Sequence, residues 1–151
     1  MNPLMAQAIA FGVLLAAWDF ACGLLGLWIW PAIIAWGCFY ASGRKTDGLV
    51  KTIVALLSGA FWARVAILLA GALGGAKPVN VLIMGLAGVA IVLQSRVSLL
   101  SFIGGTAVGA GAFLSISNLS TENVLKFCVS MIAGALLGYL SELLAGKLGK
   151  S

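Results

Sequence analysis

The chain has 151 residues, of which 62% are hydrophobic and only 9% are charged, and its mean hydropathy is +1.15. Soluble domains carry about 25% charged residues, so this composition excludes a soluble protein and predicts a single transmembrane domain over residues 1–151. The net charge of +5 comes from nine basic residues spread along the chain. A nucleic-acid surface clusters such residues, so no nucleic-acid partner is expected.

The first half of the chain predicts three hydrophobic segments, at about residues 3–23, 28–42 and 46–73. Pro3 suits a first helical position, where its missing N–H has no intrahelical partner to lose. Thr46 is a good N-cap for the third segment, and Gly74 is a typical residue to end it. The second segment is short, because a crossing takes about 20 residues. We expect it to be tilted, broken or re-entrant.

The second half predicts three more segments, at about residues 78–95, 97–115 and 121–149. Arg96 marks the turn between the first two. Thr121 is the expected N-cap of the last segment, as Thr46 is of the third.

The two halves repeat at an offset of 75 residues. Between residues 46 and 74, 11 of 29 positions are identical to the residue 75 places later, where chance would give about 3. Three crossings in each repeat, about 3–75 and 78–150, would invert the second repeat relative to the first. The sequence therefore predicts an all-α integral membrane protein of six hydrophobic helical segments, arranged as two inverted three-helix repeats. Such repeats are typical of transporters and channels, with the pathway at the seam.

The basic residues favour one orientation. With the N-terminus in the cytoplasm, six of them lie at inner ends and two at outer ends, which satisfies the positive-inside rule. The inner set is Arg44, Lys45, Lys51, Arg96, Lys147 and Lys150, and the outer set is Lys77 and Lys126. Both termini are predicted to be cytoplasmic.

Asp19 lies in the first hydrophobic segment and Arg64 in the third, and both charges are costly to bury. Each would cost about 3 kcal/mol or more at the centre of a bilayer, and their segments place them at similar depth in the outer half. They are candidates for a charged gate or for a structural ion pair, and the absence of any contact is the third alternative. The repeat aligns them with Gln94 and Tyr139, which predicts a neutral pair in the inner half. Interfacial snorkelling of those two is the alternative.

Smaller polar and glycine residues add weaker signals. Ser58 and Thr106 are candidate pathway residues, although hydroxyls in membrane helices usually bond to their own helix. Two GxxxG patterns predict close helix packing, at Gly105 and Gly109 and at Gly134 and Gly138.

The second segment and the end of the sixth carry interfacial signals. The aromatic residues of the second segment predict an interfacial belt, with an aromatic constriction as the alternative; they are Trp28, Trp30, Trp36 and Tyr40. Glu142 is expected at the interface, paired with a lysine, and a proton-coupling role is the alternative.

Catalysis and metal binding are not expected. The chain has no histidine, and its three cysteines have no CxxC spacing, so neither a zinc site nor a nucleophile–base pair is indicated. No cofactor is predicted.

Three segments resemble a known family. They are residues 30–41 (WPAIIAWGCFYA), 57–63 (LSGAFWA) and 99–106 (LLSFIGGT). These segments are similar to those of the YcdZ-like small bacterial inner-membrane proteins, a family classed as a domain of unknown function. The resemblance implies a location in the bacterial inner membrane, and it implies no substrate.

The leading interpretation is a channel or simple transporter for a small neutral or weakly charged solute. Its pathway would be lined or gated by Asp19, Arg64, Gln94, Tyr139, Thr106 and Ser58. A homo-oligomer is expected, because 151 residues are few to enclose a pathway in one subunit. The alternative is a non-transporting accessory or assembly subunit.

Overall fold

The structure, a computed structural model, describes residues 2–149 and is all-helical over that range. The predicted inner-end charge at Lys150 lies outside the described residues. The helices are α1 (Pro3–Leu25), α2 (Ile29–Ala41), α3 (Lys45–Ala72), α4 (Lys77–Gln94), α5 (Ile103–Leu114) and α6 (Thr121–Leu148), with a 3₁₀ turn at Ser98–Leu100 before α5.

Four of these helices are long and apolar enough to cross a membrane, namely α1, α3, α4 and α6. The other two, α2 and α5, have 13 and 12 residues, or about 20 and 18 Å at 1.5 Å per residue. Neither covers the roughly 30 Å hydrocarbon core by itself. The short second segment predicted from the sequence therefore has a counterpart in the second half, so the middle helix of each repeat is the short one.

Local signals set several helix ends as predicted. Pro3 is the first residue of α1, and the Asn2 side chain caps that end by accepting from the N–H of Leu4 at 3.0 Å. The helix α3 ends before Gly74 and Gly75, which have φ of +83° and +67°. Glycine adopts such left-handed backbone without steric cost.

One predicted helix start and two predicted N-caps are wrong. The fifth helix begins at Ile103 rather than near residue 97, because Ser101 closes a 3₁₀ turn: its N–H and its hydroxyl both donate to the carbonyl of Ser98. The expected N-caps Thr46 and Thr121 lie inside their helices. Ser120 caps α6 instead, since its Oγ accepts from the N–H of Asn123 at 3.3 Å.

The cap of α6 is testable with a matched pair of variants. Ser120→Ala should lower the free energy of unfolding by about 1 kcal/mol, the usual loss for an N-cap hydroxyl. Thr121→Ala, one residue later, should change it by less than about half that amount. Unfolding in mixed detergent micelles, followed by tryptophan fluorescence, measures both. A larger loss for Thr121→Ala would restore Thr121 as the cap.

The helices group into two compact units. The first contains α1, α2, the start of α3 and α6. Within it α2 and α6 run side by side in the same direction: Trp28 N–H donates to Ser130 Oγ at 3.2 Å near the start of α2, and Tyr40 bonds Ser141 near its end. The start of α1 lies against the C-terminal end of α2, since Gln7 donates to the Tyr40 hydroxyl.

The second unit contains α3 from Val54 onward, together with α4 and α5. In it α3 and α5 pack closely. The helix α4 runs antiparallel to α3 and is largely exposed. This unit therefore joins the third helix of the first repeat to the first two helices of the second repeat.

Candidate functional site

The second unit contains a cluster of polar side chains around Gln94, the last residue of α4. Gln94 Oε1 accepts from Ser58 Oγ and from Trp62 Nε1, both at 2.8 Å. Gln94 Nε2 donates to Thr106 Oγ1 at 3.3 Å. One amide thus links α3, α4 and α5 through hydrogen bonds to three side chains.

Three of the six predicted pathway residues meet in this Gln94 cluster, namely Gln94, Ser58 and Thr106. Thr106 is fully buried, and its hydroxyl also donates to the carbonyl of Phe102 at 3.4 Å, the back-bonding usual for such residues. Sequence reasoning missed Trp62. Its indole N–H lies four residues from Ser58, one helical turn away, and this spacing could have indicated it.

A groove between α3 and α4 begins at Trp62, whose indole N–H donates to Gln94. The Trp62 ring lines two adjoining cavities, one of about 250 Å³ that reaches α5 and one of about 110 Å³. A third cavity, of about 190 Å³, shares Ala66 and Ile83 with the cavity of about 110 Å³ and is also lined by Asn80. On α4 the lining of the groove runs from Asn80 to Ile91, so the groove is about 17 Å long at 1.5 Å per residue.

The far end of the groove has an unused hydrogen-bond acceptor. Asn80 Nδ2 donates to the carbonyl of Gly75 at 3.1 Å, whereas its Oδ1 is buried and has no partner among the described residues. A buried acceptor of this kind costs free energy unless a donor reaches it. The groove is therefore lined by apolar side chains apart from Asn80 at one end and Trp62 at the other.

The first unit has a polar network of its own. Trp36 Nε1 donates to Ser141 Oγ at 3.1 Å, and the Tyr40 hydroxyl bonds to Ser141 and accepts from Gln7. Trp36 and Ser141 are fully buried. Trp36 therefore does not face lipid, because hydrogen bonding and packing against the Phe11 ring, at 4.2 Å between centroids, hold this indole in the core.

The repeat shows why one unit has a groove. Position 36 of the first repeat corresponds to position 111 of the second. Trp36 fills its unit, whereas Gly111 lines the cavity of about 250 Å³ in the other. The space that the Trp36 indole occupies in the first unit is thus left open at Gly111 in the second unit.

The three remaining predicted pathway residues are divided between the two units. Asp19 is exposed on α1 of the first unit, and Arg64 is partly exposed on α3 of the second. Their pairing stays a prediction. Tyr139 lies on α6 in the first unit, where its ring packs edge to face on Phe39 at 6.3 Å.

The four GxxxG glycines lie at close approaches within the chain. A Cβ on Gly134 would lie 2.5 Å from the carbonyl carbon of Ala32 in α2, and one on Gly109 would lie 2.7 Å from Leu56 Cα in α3. At Gly105 and Gly138 a Cβ would meet the rings of Phe102 and Phe39. The equivalent of Gly134 in the first repeat, Gly59, packs on the backbone of α5. Each short helix therefore packs on a long one through a glycine at the same repeat position.

Comparison with known proteins places this architecture in a family. The profile of a family described as "Protein of unknown function (DUF1097)" matches residues 8–146. The chain is 32% identical over 113 residues to the inner membrane protein YcdZ of Escherichia coli K12, covering 74% of this chain and 69% of YcdZ, and 32% identical to YcdZ of Salmonella typhimurium, covering 74% and 71%. It is also 28% identical to the uncharacterized protein YahC of Escherichia coli K12, covering 100% of this chain and 96% of YahC. No solved structure matches the chain. The resemblance drawn from residues 30–41, 57–63 and 99–106 is confirmed.

Proposed function

Since the chain belongs to the DUF1097 family of membrane proteins of unknown function, we propose a function from its own geometry: it is a channel or simple transporter for small neutral or weakly charged solutes. The proposal includes the inner membrane as its location, cytoplasmic termini, a homo-oligomeric assembly and no catalytic activity. Two inverted repeats would provide the framework.

The observation that carries the proposal is the Gln94 cluster, which shares Trp62 with the groove. An amide, two hydroxyls and an indole N–H can exchange their mutual hydrogen bonds for bonds to a solute with little net change in free energy. Asn80 Oδ1 offers a further acceptor at the far end. The described residues that line the three cavities carry no charge, which favours neutral solutes over ions.

The position of the groove also supports a pathway. It lies between α3, from the first repeat, and α4 and α5, from the second, which is where inverted-repeat transporters place their substrate. Asp19 and Arg64 are proposed as gating residues outside the groove.

Stopped-flow light scattering on proteoliposomes tests the proposal. Urea, short amides, glycerol and short carboxylic acids at two pH values serve as solutes. We expect protein-dependent entry of one neutral class, with a rate changed by Arg64→Met if that residue gates the path. No flux for any solute through folded protein would overturn the proposal and favour the accessory-subunit alternative.

A further inference from the structure

Another cavity, which is lined by charged side chains, lies at one end of the first unit. It has a volume of about 450 Å³ and is lined by the start of α1, by Arg44 and by the last turns of α6. Its polar side chains are Gln7, Arg44 and Glu142. We call it the terminal cleft. It shares no residue with the groove of the second unit.

The backbone at the terminal cleft is held in an uncommon conformation. Gly43, Arg44 and Lys45 have φ of +102°, +62° and +56°, and such angles cost free energy at residues other than glycine. Two contacts hold the turn: the Lys45 N–H donates to Glu142 Oε2 at 3.0 Å, and the Arg44 guanidinium lies 4.9 Å from the centre of the Tyr40 ring. Glu142 thus accepts from a backbone N–H, and its predicted pairing with a lysine side chain stays a prediction.

The terminal cleft is lined by one cationic and one anionic side chain. Arg44 and Glu142 both line it, yet in the described part of the chain they form no ion pair with each other, unlike Glu122 and Lys126 at 2.7 Å. A cation and an anion kept in one cavity without neutralising each other are complementary to a zwitterion whose own charges are separated by a short spacer.

The position of the terminal cleft favours a lipid over a free solute. It lies where α1 begins and where α2 and α6 end, which is the level of the lipid headgroups when α1 and α6 span the bilayer. Leu4, which lines the cleft, is 74% exposed. Acyl chains of a lipid bound here could therefore run along the apolar face of α1.

We propose that the terminal cleft binds the headgroup of phosphatidylethanolamine, with Arg44 on the phosphate, Glu142 on the ammonium group and the Gln7 amide beside them. This inference does not depend on transport. It assigns a lipid-binding role to the Gly43–Lys45 turn and to Glu142.

Native mass spectrometry of the detergent-purified full chain tests the assignment. The protein is mixed with equal amounts of phosphatidylethanolamine, phosphatidylglycerol and phosphatidylcholine with the same acyl chains. We expect phosphatidylethanolamine to be retained about tenfold over phosphatidylcholine, whose trimethylated nitrogen cannot donate to Glu142; this is the usual effect of one charge-assisted hydrogen bond. Equal retention of the three lipids by the wild-type protein would overturn the proposal.

Variants locate the selectivity. Glu142→Gln keeps an oxygen for the Lys45 N–H but removes the charge, so it should abolish the preference for phosphatidylethanolamine over phosphatidylcholine. Arg44→Gln should weaken retention of all three lipids. Glu122→Gln, at the other end of α6, is the matched control and should keep the wild-type preference. An unchanged preference in Glu142→Gln would refute the assignment.

A further arm separates a lipid from a soluble zwitterion. Free phosphoethanolamine at the concentration of the lipid should not displace it, because the acyl chains contribute most of the apolar burial. Displacement at equal concentration would show that the terminal cleft binds a soluble zwitterion and not a lipid. If Glu142→Gln does not fold, the wild-type series of headgroups still decides the proposal.

Discussion

Replacing Gly134 by alanine is expected to lower the free energy of unfolding by about 3 kcal/mol, at the upper end of typical overpacking costs. The added Cβ would lie 2.5 Å from the carbonyl carbon of Ala32, and its nearest neighbours are all backbone atoms of that residue. Backbone cannot move aside by changing rotamer, so α2 and α6 would have to separate. Gly59→Ala should have a comparable effect in the second unit, since its Cβ would lie 2.6 Å from the Ala110 nitrogen.

Gly12→Ala provides the matched control. Gly12 lies inside α1, and a Cβ added there would meet nothing within 4 Å beyond the backbone of its own helix. Alanine at this position should therefore leave stability unchanged or raise it by up to about 1 kcal/mol. Denaturation by sodium dodecyl sulfate in mixed micelles, followed by tryptophan fluorescence, compares the three variants. If Gly134→Ala and Gly12→Ala unfold at the same detergent fraction, the close approach of α2 and α6 is wrong.

Replacing Gln94 by leucine is expected to reduce solute flux at least tenfold and to destabilise the second unit. A tenfold reduction corresponds to about 1.4 kcal/mol, which is on the order of one lost hydrogen bond. The substitution leaves the partly buried donors of Ser58 and Trp62 without their acceptor, and a donor left unsatisfied costs about 1–3 kcal/mol when it is fully buried. It also removes the amide beside the Trp62 end of the groove, at which a solute would exchange water for protein hydrogen bonds. Proteoliposome flux and micellar unfolding are measured on the same preparation.

Ser141→Ala is the control that separates transport from stability. It removes the acceptor of Trp36 Nε1 in the first unit, so it should destabilise the protein to a similar degree while flux per folded protein stays at the wild-type value. A Gln94→Leu variant that loses stability but transports like the wild type would show that the Gln94 cluster serves packing alone.

The contrast between Trp36 and Trp62 shows where sequence reasoning reached its limit. Both are tryptophans in apolar segments, and an interfacial position is the usual expectation for such residues. Trp36 is instead fully buried against Phe11 and Ser141, and Trp62 donates to Gln94. In a membrane helix nearly all positions are apolar, so hydropathy does not separate the lipid-facing side from the packed side.

The sequence by itself determined the membrane class, the short second helix, the helix ends at Pro3 and Gly74, and the family. These depend on composition, length and local backbone preference, which act within a few residues. It also identified Gln94, Ser58 and Thr106 as candidate pathway residues. Only the tertiary structure decided that Ser58 and Thr106 both bond to the Gln94 amide. It also decided that Gly111 leaves open the space that Trp36 fills, and that Arg44 and Glu142 line one cleft. Such pairings join residues far apart in the chain, and they depend on which helix faces meet, a choice that an almost uniformly apolar sequence leaves undetermined.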